Sequence, residues 1–309
     1  MRVVRPTAEL FDDALDVLRA SDEAVYGDTD WTADGLREEW DDLDLEDDAW
    51  LVEVDGRIAG VAHLLEVKGG RVIGDAYVHP ELTGRGVGSR LLDLLEQRAH
   101  ELEPQWPDGE RVVLQMAHLV GDDRAPLLFA GAGYERARSY FRMVTDLREP
   151  TPQPRWPEGT RLRPLDPDRD GAALHDAELE AFANEWGYSP IGYDEWRDRV
   201  FGRAGFDASL VPVVWAGDEV VAFSRNYPKR MGDWGFIGTL GVRPAWRRRG
   251  LGLALLHESF RRFRTTGETT VALGVDVENP TGATRLYERA GMRVLWQADV
   301  WTKELRAGD

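Results

Sequence analysis

The residues best suited to chemistry in this sequence lie where closely spaced glycines follow arginines. From Gly235 to Leu256 the chain reads as a strand ending at Pro244 and a basic turn at Arg247, Arg248 and Arg249. A helix then opens on Gly250, Leu251 and Gly252. Glycine lets backbone N–H groups approach a ligand closely, and a helix N-terminus carries partial positive charge. Together these make an anion site fitted to a pyrophosphate, with arginines beside it. The plainer alternative is a turn whose glycines only cap the elements on either side. An earlier segment repeats the pattern. Val78-His79-Pro80 leads to Gly84, Arg85, Gly86, Val87 and Gly88, with Thr83 where the later loop has Arg247.

Other landmarks recur in the same order. Arg5-Pro6 matches Arg163-Pro164, and Ala132-Gly133-Tyr134 matches Ala290-Gly291-Met292, each 158 residues apart. A stretch with four prolines in eleven residues, 149–159, reads as a stiff linker near the midpoint. The expected organisation is therefore two homologous domains, 1–148 and 160–309, joined by the Pro-rich linker 149–159. In each half the periodicity predicts a helix (Leu10–Leu18; Leu174–Phe182) and a tight hairpin (Val52–Gly60; Val214–Ala222). A strand before the glycine loop follows (Val72–Val78; Phe236–Val242), then a helix (Ser89–His100; Leu253–Phe263). A further strand (Val112–Met116; Thr270–Val275), a short helix and a last alternating strand (Arg138–Leu147; Val294–Leu305) complete each half. Strands interleaved with helices predict an α/β fold with a mixed sheet.

The spacing Arg-x-x-Gly-x-Gly at Arg247, Gly250 and Gly252 has company further on. A strand at Val271–Val275 is followed by Asn279, Ala283 and Tyr287, the last four residues before Gly291. This set resembles the acetyl-coenzyme A site of the GNAT acetyltransferase superfamily. The resemblance covers residues 1–148 and 160–306 and makes the chain similar to tandem GNAT proteins, whose domains are mixed, mostly antiparallel sheets flanked by helices. It implies an N-acetyltransferase that uses acetyl-coenzyme A and a small-molecule primary amine, by direct attack without an acyl-enzyme. It also implies roles for residues. Backbone groups of Leu240, Gly241 and Val242 would hold the pantetheine and polarise the thioester carbonyl. Asn279 and Ala283, spaced to share a helical face with Tyr287, would border the cofactor, and Tyr287 would protonate the leaving thiolate. Many family members carry a carboxylate base on the strand before the glycine loop. That strand has none here, so Asp233 and Glu185 are the candidate bases, with contact to substrate or solvent as their alternative role. In the first half Val78 and Gly84 to Gly88 would be the coenzyme A contacts. Phe129 replaces Tyr287 there and Gly121 replaces Asn279, which implies a catalytically degenerate domain. A tandem subgroup of the superfamily carries a His-Trp-Thr-Lys run before its glycine-loop strand; Phe223–Arg230 here lacks it. A non-catalytic acyl-coenzyme A sensor, or an interaction protein keeping the fold, is the rival reading.

Composition narrows the field. A net charge of -18 argues against a nucleic-acid partner, since phosphate neutralisation needs a basic face. Without cysteine there is no thiol nucleophile, disulfide or thiolate metal site, and no metal is expected. No apolar run is long enough for a membrane span or signal peptide, so a cytoplasmic location is expected. Fifteen acidic residues against one basic residue between Ser21 and Asp55 read as a solvated surface or as a field that gathers a cationic amine.

Overall fold

A computed structural model describes residues 1–29, 31–67, 70–203, 205–231, 234–279 and 281–308. The chain forms two compact units, Met1–Tyr140 with Trp296–Asp309, and Phe141–Leu295. The first unit contains β1 (Arg2–Val4), α1 (Phe11–Tyr26), α2 (Ala33–Asp41), β2 (Ala49–Val54), β3 (Arg57–Val67), β4 (Arg71–Val78), α3 (Val87–Leu102), β5 (Val112–Leu119) and α4 (Ala125–Gly131). The chain passes to the second unit within β6 (Glu135–Asp146) and continues through β7 (Arg161–Arg163), α5 (Pro167–Phe182), α6 (Tyr193–Phe201), β8 (Val213–Ala216) and β9 (Glu219–Met231). Then come β10 (Trp234–Val242), α7 (Leu251–Thr266), β11 (Thr270–Asp276) and α8 (Ala283–Arg289), and the chain returns to the first unit within β12 (Arg293–Arg306).

Local chemistry accounts for these elements. In α1, Ala14, Leu15, Val17 and Leu18 fall on one buried face, and Gly27 ends the helix in the left-handed region at φ +79°. Asp166 caps α5 by accepting from the Arg169 N–H, with Pro167 in the first turn. Asp55 and Gly56 both have positive φ, which suits the tight β2–β3 turn. Within the first unit the strand order is β1-β2-β3-β4-β5-β12, and within the second it is β6-β11-β10-β9-β8-β7. Pairing is parallel at β4/β5 and at β10/β11, and antiparallel at β3/β4, β9/β10 and β5/β12. Among the described residues no helix is long and apolar enough to cross a membrane.

The compact units divide at different points from the halves read in the sequence. β12 pairs with β5 from Ala298↔Leu119 to Arg306↔Val112, and its Trp301 and Leu305 pack on the first unit's core. Conversely, Phe141, Met143 and Leu147 pack in the second unit's core with Leu256, Phe260 and Leu273. The Pro-rich stretch is also more than a tether, since Trp156 packs against the cluster of Val214, Val221, Leu251 and Leu255.

A fragment of residues 1–148 tests this division. It lacks Trp301 and Leu305 and leaves the β12-facing edge of β5 bare. Losing two large packed side chains costs about 5 kcal/mol or more, comparable to a domain's whole stability. The fragment should show no cooperative urea transition by circular dichroism; a cooperative transition would mean that the first unit folds without β12.

Candidate active site

The second unit's site starts from a ladder that stops early. β10 and β11 pair from Trp234↔Thr270 to Ile237↔Leu273, although β10 continues to Val242 and β11 to Asp276. On the other side β10 stays with β9, but the register shifts between Ile237↔Asn226 and Thr239↔Arg225. Gly238 is thus an extra residue, a β-bulge, and it is exposed. Past this bulge the β11-facing edge of β10 at Leu240, Gly241 and Val242 carries backbone donors and acceptors outside the ladder. An extended amide-containing ligand pairs with such an edge.

The glycine loop follows directly. Arg248 lies in the left-handed region at φ +61° and Gly250 at φ +91°. Gly250 is the N-cap of α7, and no side chain caps that helix, so its leading N–H groups remain for an anion. The three arginines differ in role. Arg247 Nε donates to the Val242 carbonyl at 3.1 Å and its Nη2 to the Ala181 carbonyl at 2.8 Å, tying the loop to β10 and α5. Arg249 donates to the Ala245 carbonyl and lies over the Trp246 ring. Arg248 is exposed, with no hydrogen bond or ion pair among the described residues. Leu251 is buried in the core behind the loop. Gly252 has a packing reason to be glycine, because a Cβ there would stand 2.8 Å from Leu286 Cδ2 of α8.

Tyr287, Glu185 and Asn279 come together. Ala283 and Tyr287 lie one turn apart on α8, and Tyr287 shares a packed cluster with Leu240 of β10 and Leu273 and Val275 of β11. It is 9% exposed. Burial, and then the charge of Glu185, push its hydroxyl up to about 12. Asn279 departs from the expected helical face, because Gly282 at φ +73° starts α8 after it. Its Oδ1 instead accepts from the Thr281 N–H at 2.8 Å, and its Nδ2 donates to Glu185 Oε1 at 2.9 Å. Glu185 sits in the turn after α5. Asp233 lies outside the described residues. Trp196 is buried in the core beside Leu174 and Val200.

Sequence reading missed one buried ion pair in this region. Glu178 of α5 accepts from Arg225 of β9 at 3.0 Å, and Arg225 also donates to Thr239 Oγ1 at 2.7 Å. The available signal was Glu178 following Leu174 and Ala177 on the apolar face of α5, where an acid needs a buried partner.

The first unit keeps the frame but changes the contents. β4 and β5 pair from Arg71↔Val113 to Gly74↔Met116 and no further, while β3/β4 runs without a register shift. Gly84 (φ +76°) and Gly86 (φ +79°) shape the loop beyond Val78, and Gly86 starts α3, with Val87 buried and Gly88 in its first turn. Arg85 is paired with Asp55 at 2.7 Å. Phe129, in the place of Tyr287, packs against Tyr134 and Trp301. Gly121, in the place of Asn279, has φ +122°. His63 is buried against Glu39 (3.4 Å) and Asp75 (3.5 Å). Burial would lower its pKa, but the Asp75 bond and the two carboxylate charges outweigh this and raise it.

Parallel strands that part beside a helix N-terminus no side chain caps, with a buried tyrosine packed against residues of both strands, form a site suited to a ligand with an extended amide arm and a pyrophosphate. Comparison with known proteins agrees: residues 11–106 and 171–292 match the acetyltransferase (GNAT) family. The chain belongs to the GNAT family as a tandem member and is an acyltransferase; enzymes of this family take acetyl-coenzyme A as acyl donor. It is 33% identical over 236 residues to a mycothiol acetyltransferase of Thermobispora bispora, covering 74% of each chain. A mycothiol acetyltransferase of Nocardiopsis dassonvillei is 29% identical, with 80% of this chain and 78% of that one covered. Among solved structures it is similar to a GCN5-related N-acetyltransferase from Sphaerobacter thermophilus (TM-score 0.90, 31% identity, 100% and 96% covered). A tandem GNAT protein of the clavulanic acid pathway shares the fold, with TM-score 0.72, 18% identity and 100% and 99% covered.

Gly250→Val probes the loop. A β-branched residue at φ +91° is strained, and it would hold the backbone away from a pyrophosphate. Coenzyme A binding by calorimetry should weaken by roughly two decades, about 3 kcal/mol. Unchanged affinity in a folded variant would remove the α7 N-terminus from the binding site.

Proposed function

We propose that the second unit transfers an acetyl group from acetyl-coenzyme A to the primary amine of a small molecule by direct attack. The observation that carries this reading is the position of Tyr287, packed with Leu240 and Val275 beyond the point where β10 and β11 part. Leu240, Gly241 and Val242 would hold the extended donor and polarise its carbonyl through backbone N–H groups. The first amides of α7, with Arg248 beside them, suit the pyrophosphate. Tyr287 is the proton donor to the leaving thiolate. With the hydroxyl at about 12 and a free thiol near 8.5, the transfer would be uphill by roughly 5 kcal/mol. The burial that raises the tyrosine also raises a thiol leaving beside it, which narrows that gap.

An amine is a nucleophile only after losing its extra proton. Glu185, held by Asn279, is the favoured acceptor of that proton, directly or through water, and Asp233 is the second candidate. The relatives named mycothiol acetyltransferase support a small-molecule amine, and a mycothiol-type acceptor is the first specific alternative to assay. The first unit is degenerate in this reading. Phe129 has no proton to give, and Arg85 is occupied by Asp55. The remaining backbone donors at Gly84 to Gly88 support at most a weak coenzyme A site, since one charged contact is worth about 1.5–3 kcal/mol.

Tyr287→Phe tests the chemistry. The ring and its packing stay while the proton goes, so turnover should fall by roughly 10²- to 10⁴-fold with little change in coenzyme A affinity. A turnover number equal to wild type, in a regime where chemistry limits the rate, would remove Tyr287 as the acid.

A further inference from the structure

Arg225 and Glu178 are charged groups at the reacting end of β10 that the mechanism leaves unused. Arg225 stands opposite Thr239, one residue before Leu240 and directly after the bulge. Its side chain is 14% exposed and that of Glu178 is 7% exposed. Both of the guanidinium's hydrogen bonds leave from Nη2, to Glu178 Oε1 and to Thr239 Oγ1. Its Nε–H is buried without a partner, and Nη1 makes no hydrogen bond among the described residues. Glu178 Oε2 is likewise buried and unpartnered. Two adjacent groups of opposite charge thus retain hydrogen-bonding capacity in a place where leaving it unmade is costly.

The first unit shows what a closed version of this arrangement looks like. There His63 stands opposite Asp75 in the matching strand pair, and its Nε2 meets both Asp75 and Glu39. In the second unit the strand residue is Thr239, which offers the cation only a hydroxyl.

We propose that Arg225 is a specificity-determining residue of the second unit, binding a carboxylate carried by the acceptor, with Glu178 and Thr239 as the positioning residues that hold the guanidinium. An oxyanion satisfies the spare donors of Arg225, while Glu178 and Thr239 keep the guanidinium in place. The acceptor class is therefore a primary amine bearing a carboxylate, as in an α-amino acid. The inference rests on the catalytic reading above and deepens it.

The test compares α-amino acids with the amines made by removing their carboxylate: phenylalanine with phenethylamine, serine with ethanolamine, lysine with cadaverine. Thiol release at saturating acetyl-coenzyme A should favour the carboxylate-bearing partner of at least one pair by roughly tenfold or more in kcat/KM, mainly through KM. Arg225→Met should abolish that preference and Arg225→Lys should keep part of it. Arg225→Met leaves Glu178 buried and unpaired, so the double variant with Glu178→Gln serves if the single one unfolds. Amino-acid binding to the coenzyme A-loaded protein, read as a thermal shift, is measured alongside. Binding lost in Arg225→Met, with no turnover even in wild type, would uphold the carboxylate site and sink the catalytic reading. Equal rates within every pair, a preference unchanged in Arg225→Met, or neither binding nor turnover of any amino acid would overturn the proposal.

Discussion

The candidate site of the second unit depends on two parallel strands that begin paired and then part. Four residue pairs, Trp234↔Thr270 to Ile237↔Leu273, hold β10 and β11 together. Beyond them β10 stays paired with β9, and a bulge at Gly238 interrupts that ladder where the strands part. An apolar cluster that includes Ile237, Leu256, Phe260, Leu273 and Tyr287 packs these elements together. Everything proposed for catalysis uses that gap. The proposed roles draw on three elements: the backbone edge of β10, the N-terminus of α7 and the Tyr287 hydroxyl on α8. The first unit also lets β4 and β5 part after four pairs, yet without a bulge in β3/β4. Divergence is thus built into both sheets, and the bulge is the second unit's own addition.

Charge is handled differently in the two units. The acidic excess of the first unit includes a long solvated run, such as Asp41, Asp42 and Asp47, all exposed or half-exposed. In the second unit Glu178 is buried with Arg225, and a half-buried Glu185 is held by Asn279. A buried pair such as Glu178 and Arg225 is screened less by water and salt than carboxylates on the surface. Burial first, and then the nearby charge of Glu185, raise the Tyr287 hydroxyl.

Local patterns carried much of this into the sequence. The 158-residue repeat, the glycine loops, and the exchange of Tyr287 for Phe129 are adjacent or evenly spaced features, readable without a structure. What escaped reading depends on distant partners. Glu178 and Arg225 are 47 residues apart, and nothing near either one names the other. The use of β12 by the first unit depends on pairing with β5, and its alternation would suit either sheet. Asn279 was misplaced because its spacing to Ala283 and Tyr287 fits a helix, whereas Gly282 at φ +73° starts α8 later. The helices α2 and α6, nine residues each, are short enough for their periodicity to stay ambiguous.

The two glycine loops then show how one frame supports two outcomes. Where the first loop has Gly84 at φ +76°, the second has Arg248 at φ +61°. Glycine accepts that conformation freely, but an arginine in it costs about 1 kcal/mol. The second loop therefore carries strain that the first avoids. In return it presents an exposed guanidinium two residues before the N-cap of α7, next to amides that no side chain caps. In the first loop the corresponding cation, Arg85, sits one residue further on and is neutralised by Asp55. A strained, unpaired cation at a helix N-terminus is the arrangement an anion would complete, whereas the first loop's relaxed glycine and paired arginine leave no such charge to be met.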